Sequence, residues 1–449
     1  MGADQPVIHD EELVALLKRA AADLHAKAWI VGGYVRDLLL GRPHPNPDVV
    51  VEDGDALEVA RRFAALAGAP PPVVFERFGT AQVTLPGRLV EFVTARSESY
   101  TTESRKPKVQ RASLDDDLRR RDFTINTLLM DLDGQIVDRL GGRNDLERQI
   151  LRTPTDPERT FSDDPLRMLR GIRFAAQLGF QLAPGLVPAM RAMRSRLAPP
   201  VISAERVADE LRKMLVSPRP KQALELLDEA ALLGTVLPEI ARCKGVPQTG
   251  YHTHDVYGHT LLTVEATGPD LLLRVAALFH DSGKPATAKG DGTFLGHDEV
   301  GAVIAREALE RLRFAQKEVE VVARLVAMHL RPVFYSSEWT DGAVRRLARD
   351  AGPLLDRLMA LARADIAASA YPWPEKLDEL QARLDQVHAE VPSRLEPLIT
   401  GDDIMRITGI GPGPDVGRIK RKLEELVIDG AIPPDREAVM EYLTANPRQ

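Results

Sequence analysis

The stretch WIVGGYVRDLLLGRPHPNPDVVVED, Trp29–Asp53, decides how the N-terminal part of this chain folds. A strand-like run, AWIV at 28–31, ends at Gly32 and Gly33. A helical run bearing Arg36 and Asp37 follows, and a second strand-like run, DVVVE, fills 48–52. Small residues between a strand and a helix let backbone N–H groups approach a phosphate at the helix start. The same pair also suits an ordinary strand-to-helix turn. Such a second strand would place two carboxylates one residue apart toward metal ions, yet the sequence reads Asn46-Pro47-Asp48. Strand side chains alternate, so positions 46 and 48 are expected on one face. Glu91, in RLVEFVTA at 88–95, can converge with them. An amide oxygen can ligate Mg²⁺ but brings no charge.

Outward from this stretch, residues 10–26 have helical periodicity, capped by Asp10. Further strand-like runs are PPVVFERF at 71–78 and AQVTL at 81–85. This α/β unit ends near residue 155. Helical, Arg-rich sequence continues to about 244, and GVPQTG at 245–250 reads as a boundary. A histidine-rich helical section spans about 251–370, and a last segment about 395–449. At roughly 150 residues per domain, 449 residues suggest about three. The expected division is 1–155, 156–245, 246–370 and 371–449.

Composition narrows the classes. A net charge of −7 excludes a uniformly basic nucleic-acid coat, so polyanions must meet patches such as Arg119-Arg120-Arg121 or Lys420-Arg421-Lys422. Cys243 is the only cysteine, which excludes an intramolecular disulfide and a cysteine metal cluster. The N-terminus lacks an apolar signal core, and no run approaches ~18 apolar residues. A cytoplasmic protein with no membrane partner is expected.

Residues 115–154 read DDDLRRRDFTINTLLMDLDGQIVDRLGGRNDLERQILRTP. The ordered set GGYVRD, VEFVTAR, RRDFTIN and DRLGGRNDL resembles the class II tRNA nucleotidyltransferase and bacterial poly(A) polymerase family over most of residues 28–245. The resemblance implies an α+β fold: a small α/β nucleotidyltransferase head, then a mostly helical neck, HD domain and tail. It implies a two-metal, Mg²⁺-dependent site at Asp48 and position 46, with Glu91 as third carboxylate. It further implies nucleotide binding by Gly32, Gly33, Arg36 and Arg121, and ribose and phosphate contacts from Asp122 and Asn126. Asn46 departs from the family's acid. A shifted alignment onto Asp53 or Asp55 would leave the strand for the turn EDGD. Three readings stand: a substitution that stalls catalysis, a natural chain that tolerates the amide, or a head without transferase activity.

FSDDPLRMLRGIRF, 161–174, contains Asp164 and Arg167 at i,i+3. One reading is an ion pair on a helix face. The other is a reader of base edges. Cytosine and adenine each present an amino donor beside a ring-nitrogen acceptor, which complements a carboxylate beside a guanidinium. Guanine and uracil present the reverse and would lose ~1–3 kcal/mol per mismatched pair. The family's ED-x-x-R motif implies this second role, with Asp163 in place of its Glu. ISAERVADEL, 202–211, resembles the motif that braces the neck, with Glu205, Arg206 and Glu210.

Five later segments, VYGHTLLTV, LFHDSGKP, LGHDEVGA, AMHLRP and ARADIAAS, supply His259, His280, Asp281, His297, His329 and Asp365. Their order resembles the H…HD…D pattern of HD-domain phosphohydrolases. His297 and His329 extend it toward a two-metal site, and imidazole favours Ni²⁺, Mn²⁺ or Co²⁺. Lys284 is placed to meet a phosphate, and His254-Asp255 is a weaker pair. In the tail, GIGPGPDVGRIKRKLEEL offers Arg418, Lys420 and Arg421 to RNA phosphates.

The function expected is a tRNA 3′-end nucleotidyltransferase adding C and/or A from CTP and ATP, with an HD phosphohydrolase domain. The alternatives are a partial CC- or A-adding enzyme, a poly(A) polymerase, and an RNA-directed HD phosphohydrolase whose head is silenced by Asn46. Arg96–Arg111 lies where the family's specificity-switching loop sits. Oligomeric state is not legible.

Overall fold

A computed structural model describes residues 10–43, 46–76, 79–101, 104–111, 113–198, 201–289, 292–390 and 398–447; for 96–111 and 388–390 it describes the backbone alone. The N-terminal residues read for a signal core, residues 77–78 of the third strand-like run and residues 395–397 of the last segment lie outside the described residues. Inter-residue contacts part the chain into two units, 1–236 and 237–449.

The first unit is built on a mixed sheet of seven strands. These are β1 (Lys27–Val31), β2 (Asp48–Asp53), β3 (Val73–Phe75), β4 (Thr80–Leu85), β5 (Arg88–Thr94), β8 (Leu129–Met130) and β9 (Ile136–Val137), ordered β3-β4-β5-β2-β1-β8-β9. Only β2 and β5 run parallel; the other neighbours are antiparallel. β2 sits centrally because Val49, Val50 and Val51 are apolar on both faces, and all three are fully buried. One sheet face carries Trp29, Val31, Val50, Val93, Leu114 and Leu118 as a core cluster. Helices α1 (Asp10–Asp23) and α3 (Ala56–Leu66) accompany the sheet, with Phe63 of α3 packed on Phe92 of β5 at a ring separation of 5.4 Å. Between β1 and β2 runs α2 (Gly33–Leu39). Strands β6 (Arg96–Thr101) and β7 (Ser104–Arg111) form a separate antiparallel hairpin. The side chains of that expected specificity loop lie outside the described residues.

Short helices α4 (Leu114–Arg119) and α5 (Gly142–Glu147) lead to the neck. There α6 (Pro157–Asp163), α7 (Leu166–Leu178), α8 (Leu186–Met193) and α9 (Ala204–Leu215) follow one another. Arg173 of α7 donates from Nε to Glu210 Oε2 of α9 at 2.6 Å, with side chains only 10% and 3% exposed. Removing one partner of a buried pair leaves the other charge without compensation. We therefore expect Arg173→Ala to destabilise the first unit by ~3–5 kcal/mol, while Arg173→Met with Glu210→Leu restores most of that loss. Urea melts of the three proteins test it, and equal stability would remove the brace role.

The second unit is helical. Its site is framed by helices Val256–Ala266, Leu271–Phe279, His297–Arg311, Gln316–Met328 and Leu355–Ala367. The unit begins at 237, ahead of the 245–250 boundary expected from glycine and proline. Tyr257 N–H donates to Cys243 O, Val256 N–H to Val246 O, and Gly245 N–H to Asp255 Oδ2, so the preceding segment is tied to the first histidine helix. Helices Gly401–Thr408, Pro414–Ile428 and Arg436–Ala445 close over Ile404, Ile419, Leu423, Val427 and Val439. Among the described residues no helix is long and apolar enough to cross a membrane.

Candidate functional site

Asp48 opens β2 and is the register partner of Glu91 on parallel β5. The two carboxylates therefore stand on neighbouring strands at one sheet end. Glu91 Oε2 also accepts from Gln82 Nε2 at 3.3 Å. Asp48 is an exposed residue, yet its carboxyl is closely surrounded. Desolvation first, then Glu91, push it up to about 6, against the pull of Arg121 and Arg170. Gly32 (φ +82°) lies beside it: a Cβ there would meet Asp48 Oδ2 at 3.2 Å and Arg121 Nη1 at 3.3 Å. The glycine is thus required both by its backbone angle and by close approach. Helix α2 has only seven residues, so the helix-end field expected at Gly32–Gly33 is small, and the glycines act through proximity.

Asn46 precedes β2 rather than lying within it. Its Oδ1 accepts the Leu89 N–H at 2.9 Å, which ties the entry of β2 to β5. The atom that would ligate a cation is thus already held by a backbone donor. Strand β2 itself starts at Asp48, so Asn46 meets β5 from the segment just ahead of it.

Arg36 is buried; it donates from Nε and Nη2 to Asp37 and from Nη1 to Asn126 Oδ1, each at 2.8 Å. Asp122 is also buried. Its Oδ1 accepts from Phe123 N–H at 2.8 Å and Asn126 Nδ2 at 2.9 Å, and its Oδ2 accepts from Arg170 Nε at 2.8 Å and from Arg170 Nη2. Despite burial, Arg170 and these donors hold the Asp122 carboxyl well below the usual range. Arg36, Asp122 and Asn126, expected to touch nucleotide, therefore form one internal network that joins α2, the RRDFTIN turn and α7. The DRLGGRNDL segment supports that turn. Asp138 accepts the N–H groups of Leu140, Gly141, Gly142 and Arg143, and a Cβ on Gly142 would lie 2.3 Å from Thr124 O.

Asp164 and Arg167 do not share a helix face. Asp164 lies in the break between α6 and α7, with φ −143° and ψ 102°, because Pro165 follows it. Its Oδ1 accepts Leu166 N–H at 3.1 Å and its Oδ2 accepts Arg206 Nη2 at 3.0 Å. Arg167 instead donates to Thr160 O and Arg120 O. The helix-face ion pair is not formed, and carboxylate and guanidinium are held separately at the N-terminus of α7.

In the second unit the sequence-distant histidines converge. His259, His280 and Asp365 bring ligand atoms within 4.8 Å of one another, as do Asp281, His297 and His329. His259 Nε2 lies 2.9 Å from Asp365 Oδ1 and 3.3 Å from His280 Nε2. Asp281 joins the groups: Oδ2 is 3.3 Å from His280 Nε2, and Oδ1 is 3.2 Å from His297 Nε2 and 3.9 Å from His329 Nε2. The tautomers follow from the backbone. Nδ1 of His280, His297 and His329 faces a carbonyl of Ala277, Phe294 and Val326 at 2.8, 2.8 and 2.7 Å, and that of His259 faces Ala368 O at 3.3 Å. A carbonyl only accepts, so Nδ1 carries the hydrogen and the Nε2 lone pair points inward. Among the described residues the buried Nε2 atoms of His297 and His329 have no hydrogen-bond partner. Converging lone pairs and carboxylates without shared hydrogens fit a cation. Ligands ~2.0–2.2 Å from an ion also stand about 3–3.5 Å apart.

Burial keeps His329 down at about 4, so its lone pair is available at neutral pH. Against burial, the Asp281 charge raises His280. Gly283 permits this packing, since a Cβ there would lie 2.1 Å from His297 O. Lys284 Nζ donates to Asp281 Oδ2 and Gln248 Oε1, both at 2.6 Å. Asp255 caps the first histidine helix through Gly258 N–H, so the 254–255 pair is structural there. In the tail, Arg418 pairs with Asp415 and Arg421 donates to Gly417 O.

Two residues were missed in the sequence. Arg170 closes on Asp122 from three residues past Arg167. The His252 ring centroid lies 4.6 Å from that of His259, and its Nδ1 is buried without a partner among the described residues. Its signal was the first histidine of YHTHD.

Comparison with known proteins agrees with this geometry. Residues 28–152 match the Poly A polymerase head domain, 179–244 the probable RNA and SrmB-binding site of polymerase A, and 249–369 the HD domain. The chain is 34% identical to the A-adding tRNA nucleotidyltransferase of Deinococcus radiodurans, over 92% of this chain and 94% of that protein. It is 36% identical to the CC-adding tRNA nucleotidyltransferase of Thermus thermophilus, over 92% of each. A crystal structure of the Bacillus stearothermophilus CCA-adding enzyme in complex with CTP superposes with a TM-score of 0.71 at 25% identity, over 98% of both chains. The α+β head, helical body and HD domain therefore place the chain in the tRNA nucleotidyltransferase family of CCA-, CC- and A-adding enzymes.

Proposed function

We propose that the chain adds C and/or A from CTP and ATP to the 3′ end of tRNA, using Asp48 and Glu91, and carries a separate metal-dependent phosphohydrolase site. The observation that carries the head's role is the register of Asp48 against Glu91 beside Gly32 and Arg121. We take residues 1–155 as head, 156–245 as neck, 246–370 as HD domain and 371–449 as RNA-binding tail.

In the head, Asp48 and Glu91 would hold Mg²⁺. In the HD domain, His259, His280, Asp281, His297, His329 and Asp365 would hold Ni²⁺, Mn²⁺ or Co²⁺. Bound ions supply positive charge at the attacking and leaving oxygens and acidify water. The chain's own residues position the reactants. Gly32 keeps the backbone close to the phosphates, and the Arg36–Asn126–Asp122–Arg170 network fixes the turn between head and template. Asp164 and Arg167 flank the start of α7, where their carboxylate and guanidinium suit cytosine and adenine. We expect Asp164→Ala or Arg167→Ala to reduce the preference for CTP and ATP over UTP and GTP about tenfold per lost pairing. Competition assays with all four triphosphates check it, and unchanged preference in both variants sinks the template role.

Asn46 favours a second reading, an HD phosphohydrolase with a silent head, because its oxygen is tied to Leu89. A carboxylate at 46 keeps that hydrogen bond and adds charge beside Asp48. Asn46→Asp is therefore expected to raise nucleotide addition at least tenfold, by strengthening cation binding. Equal rates in Mg²⁺ would show that position 46 only clips β2 to β5.

A further inference from the structure

Asp115, Asp116 and Asp117 all fall in the first turn of α4, and the helix sends them different ways. Asp115 pairs with Arg139 and Asp116 accepts from Ser113 Oγ, both at the surface. Asp117 points inward between Leu114 and Leu118, which belong to the core cluster on the sheet, and it is fully buried. Positions i, i+3 and i+4 make one helix face, and here that face is the core-facing one. A charge at such a position costs desolvation, and an apolar side chain of similar volume commonly serves stability as well or better. Asp117 therefore calls for a role beyond packing. Its Oδ1 accepts from Arg120 Nε at 3.1 Å and Nη2 at 2.6 Å, and its Oδ2 accepts from Arg121 Nε at 3.2 Å. Burial alone would raise the carboxyl, but Arg121 and then Arg120 outweigh it and hold it below the usual range.

The two arginines lead to the two ends of a bound nucleotide. A Cβ on Gly32 would lie 3.3 Å from Arg121 Nη1 and 3.2 Å from Asp48 Oδ2, so the far end of Arg121 and the metal-holding carboxylate flank the same glycine. Arg120 caps the C-terminus of α4, and its carbonyl accepts from Arg167 Nη2, the guanidinium set toward the base edge. We propose that Asp117 is a positioning residue for nucleotide addition, one buried carboxylate that fixes both the guanidinium beside Asp48 and the carbonyl that holds Arg167, and so sets the spacing between triphosphate and base. The proposal rests on the nucleotide-addition reading of the head. Asp117 lies behind the arginines and acts through them. A guanidinium already held in one rotamer loses less conformational freedom when a phosphate arrives, which favours binding. A misplacement of ~1 Å at such a contact is enough to cost up to about 10²-fold.

The test compares the full chain, Asp117→Asn, Arg121→Met and the double variant in Mg²⁺ with tRNA and CTP. Asp117→Asn keeps the side-chain shape but turns an N–H toward one arginine. It should raise the CTP KM about tenfold, the low end of what one charge-assisted hydrogen bond supports, with kcat and the tRNA KM within about threefold of wild type. The preference for CTP over UTP should fall about threefold, the share carried by Arg120 and Arg167. In the Arg121→Met background the same change should add no more than about that threefold, because residues acting through one contact are not additive. A wild-type CTP KM in Asp117→Asn, or a full tenfold addition in the double variant, overturns the role and leaves Asp117 a brace. If Asp117→Asn does not fold, Asp117→Glu takes its place, since it keeps the charge and shifts both guanidiniums by one methylene. The same rise in KM is expected of it; an unchanged KM, or failure of both variants to fold, overturns the role. If the wild type adds no nucleotide, the reading of the head falls. Calorimetric titration with CTP then decides the anchor alone: about tenfold weaker binding in Asp117→Asn supports it, and equal binding, or none by either protein, overturns it.

Discussion

Replacing Asp48 with Asn is expected to lower nucleotide addition by roughly 10²–10⁴-fold, the effect of losing ~3–5 kcal/mol of transition-state stabilisation with a metal-holding charge. The loss should be larger than for any change at Asn46, because Asp48 is the carboxylate facing Glu91 in register, while the Asn46 oxygen is held by Leu89. Folding should survive, since Asp48 is exposed and desolvation, which raises its carboxyl to about 6, outweighs the pull of Arg121 and Arg170. The same shift gives a pH test. Below about pH 6 the metal-free carboxyl is protonated and cannot ligate, so Mg²⁺ affinity of the head should fall as pH drops through that value. Initial rates at saturating tRNA and CTP, with Mg²⁺ titrations at pH 5.5 and 7.5, check both statements. Wild-type rates in Asp48→Asn would place the chemistry elsewhere.

His280→Ala is expected to abolish phosphohydrolase activity, by roughly 10³-fold or more, and to release bound transition metal, while nucleotide addition continues. His280 is fully buried, with Nδ1 on Ala277 O and Nε2 facing both His259 and Asp281, so the substitution removes one ligand of the group it forms with His259 and Asp365. Metal content after dialysis, ester hydrolysis in Ni²⁺ or Mn²⁺, and nucleotide addition in Mg²⁺ are the three readouts. A variant that keeps its metal, or one that folds normally yet loses both activities, would refute two independent sites.

Much of this was legible because the chemistry sits in residues whose spacing a fold must respect. DVVVE reads as a strand, and it is the central β2. The five histidine and aspartate segments converge because each lies on a helix or helix end; four of them line one pocket, and His259 of the fifth reaches Asp365 and His280. Other features rest on long-range contacts with no local trace. Nothing near residue 46 announces the Leu89 N–H, and nothing near Asp122 announces Arg170 from α7. The Asp164 error had a local signal that was available, since Pro165 drives the residue before it out of helical geometry. The adjacency of 164 and 167 in sequence suggested a helix-face pair that this break prevents. Arg36, Asp122 and Asn126 carry the family pattern, and their side chains also bind one another, a network that the pattern alone does not announce.

The central claim is tested most directly by incubating the full chain and its Asn46→Asp variant with tRNAs ending at the discriminator base, C or CC, in Mg²⁺ with each labelled triphosphate. The account predicts extension of at least one of these ends with CTP or ATP and none with UTP or GTP. It also predicts that Asn46→Asp extends the same ends faster. Absence of extension on all three ends by both proteins, with their fold intact, would contradict it.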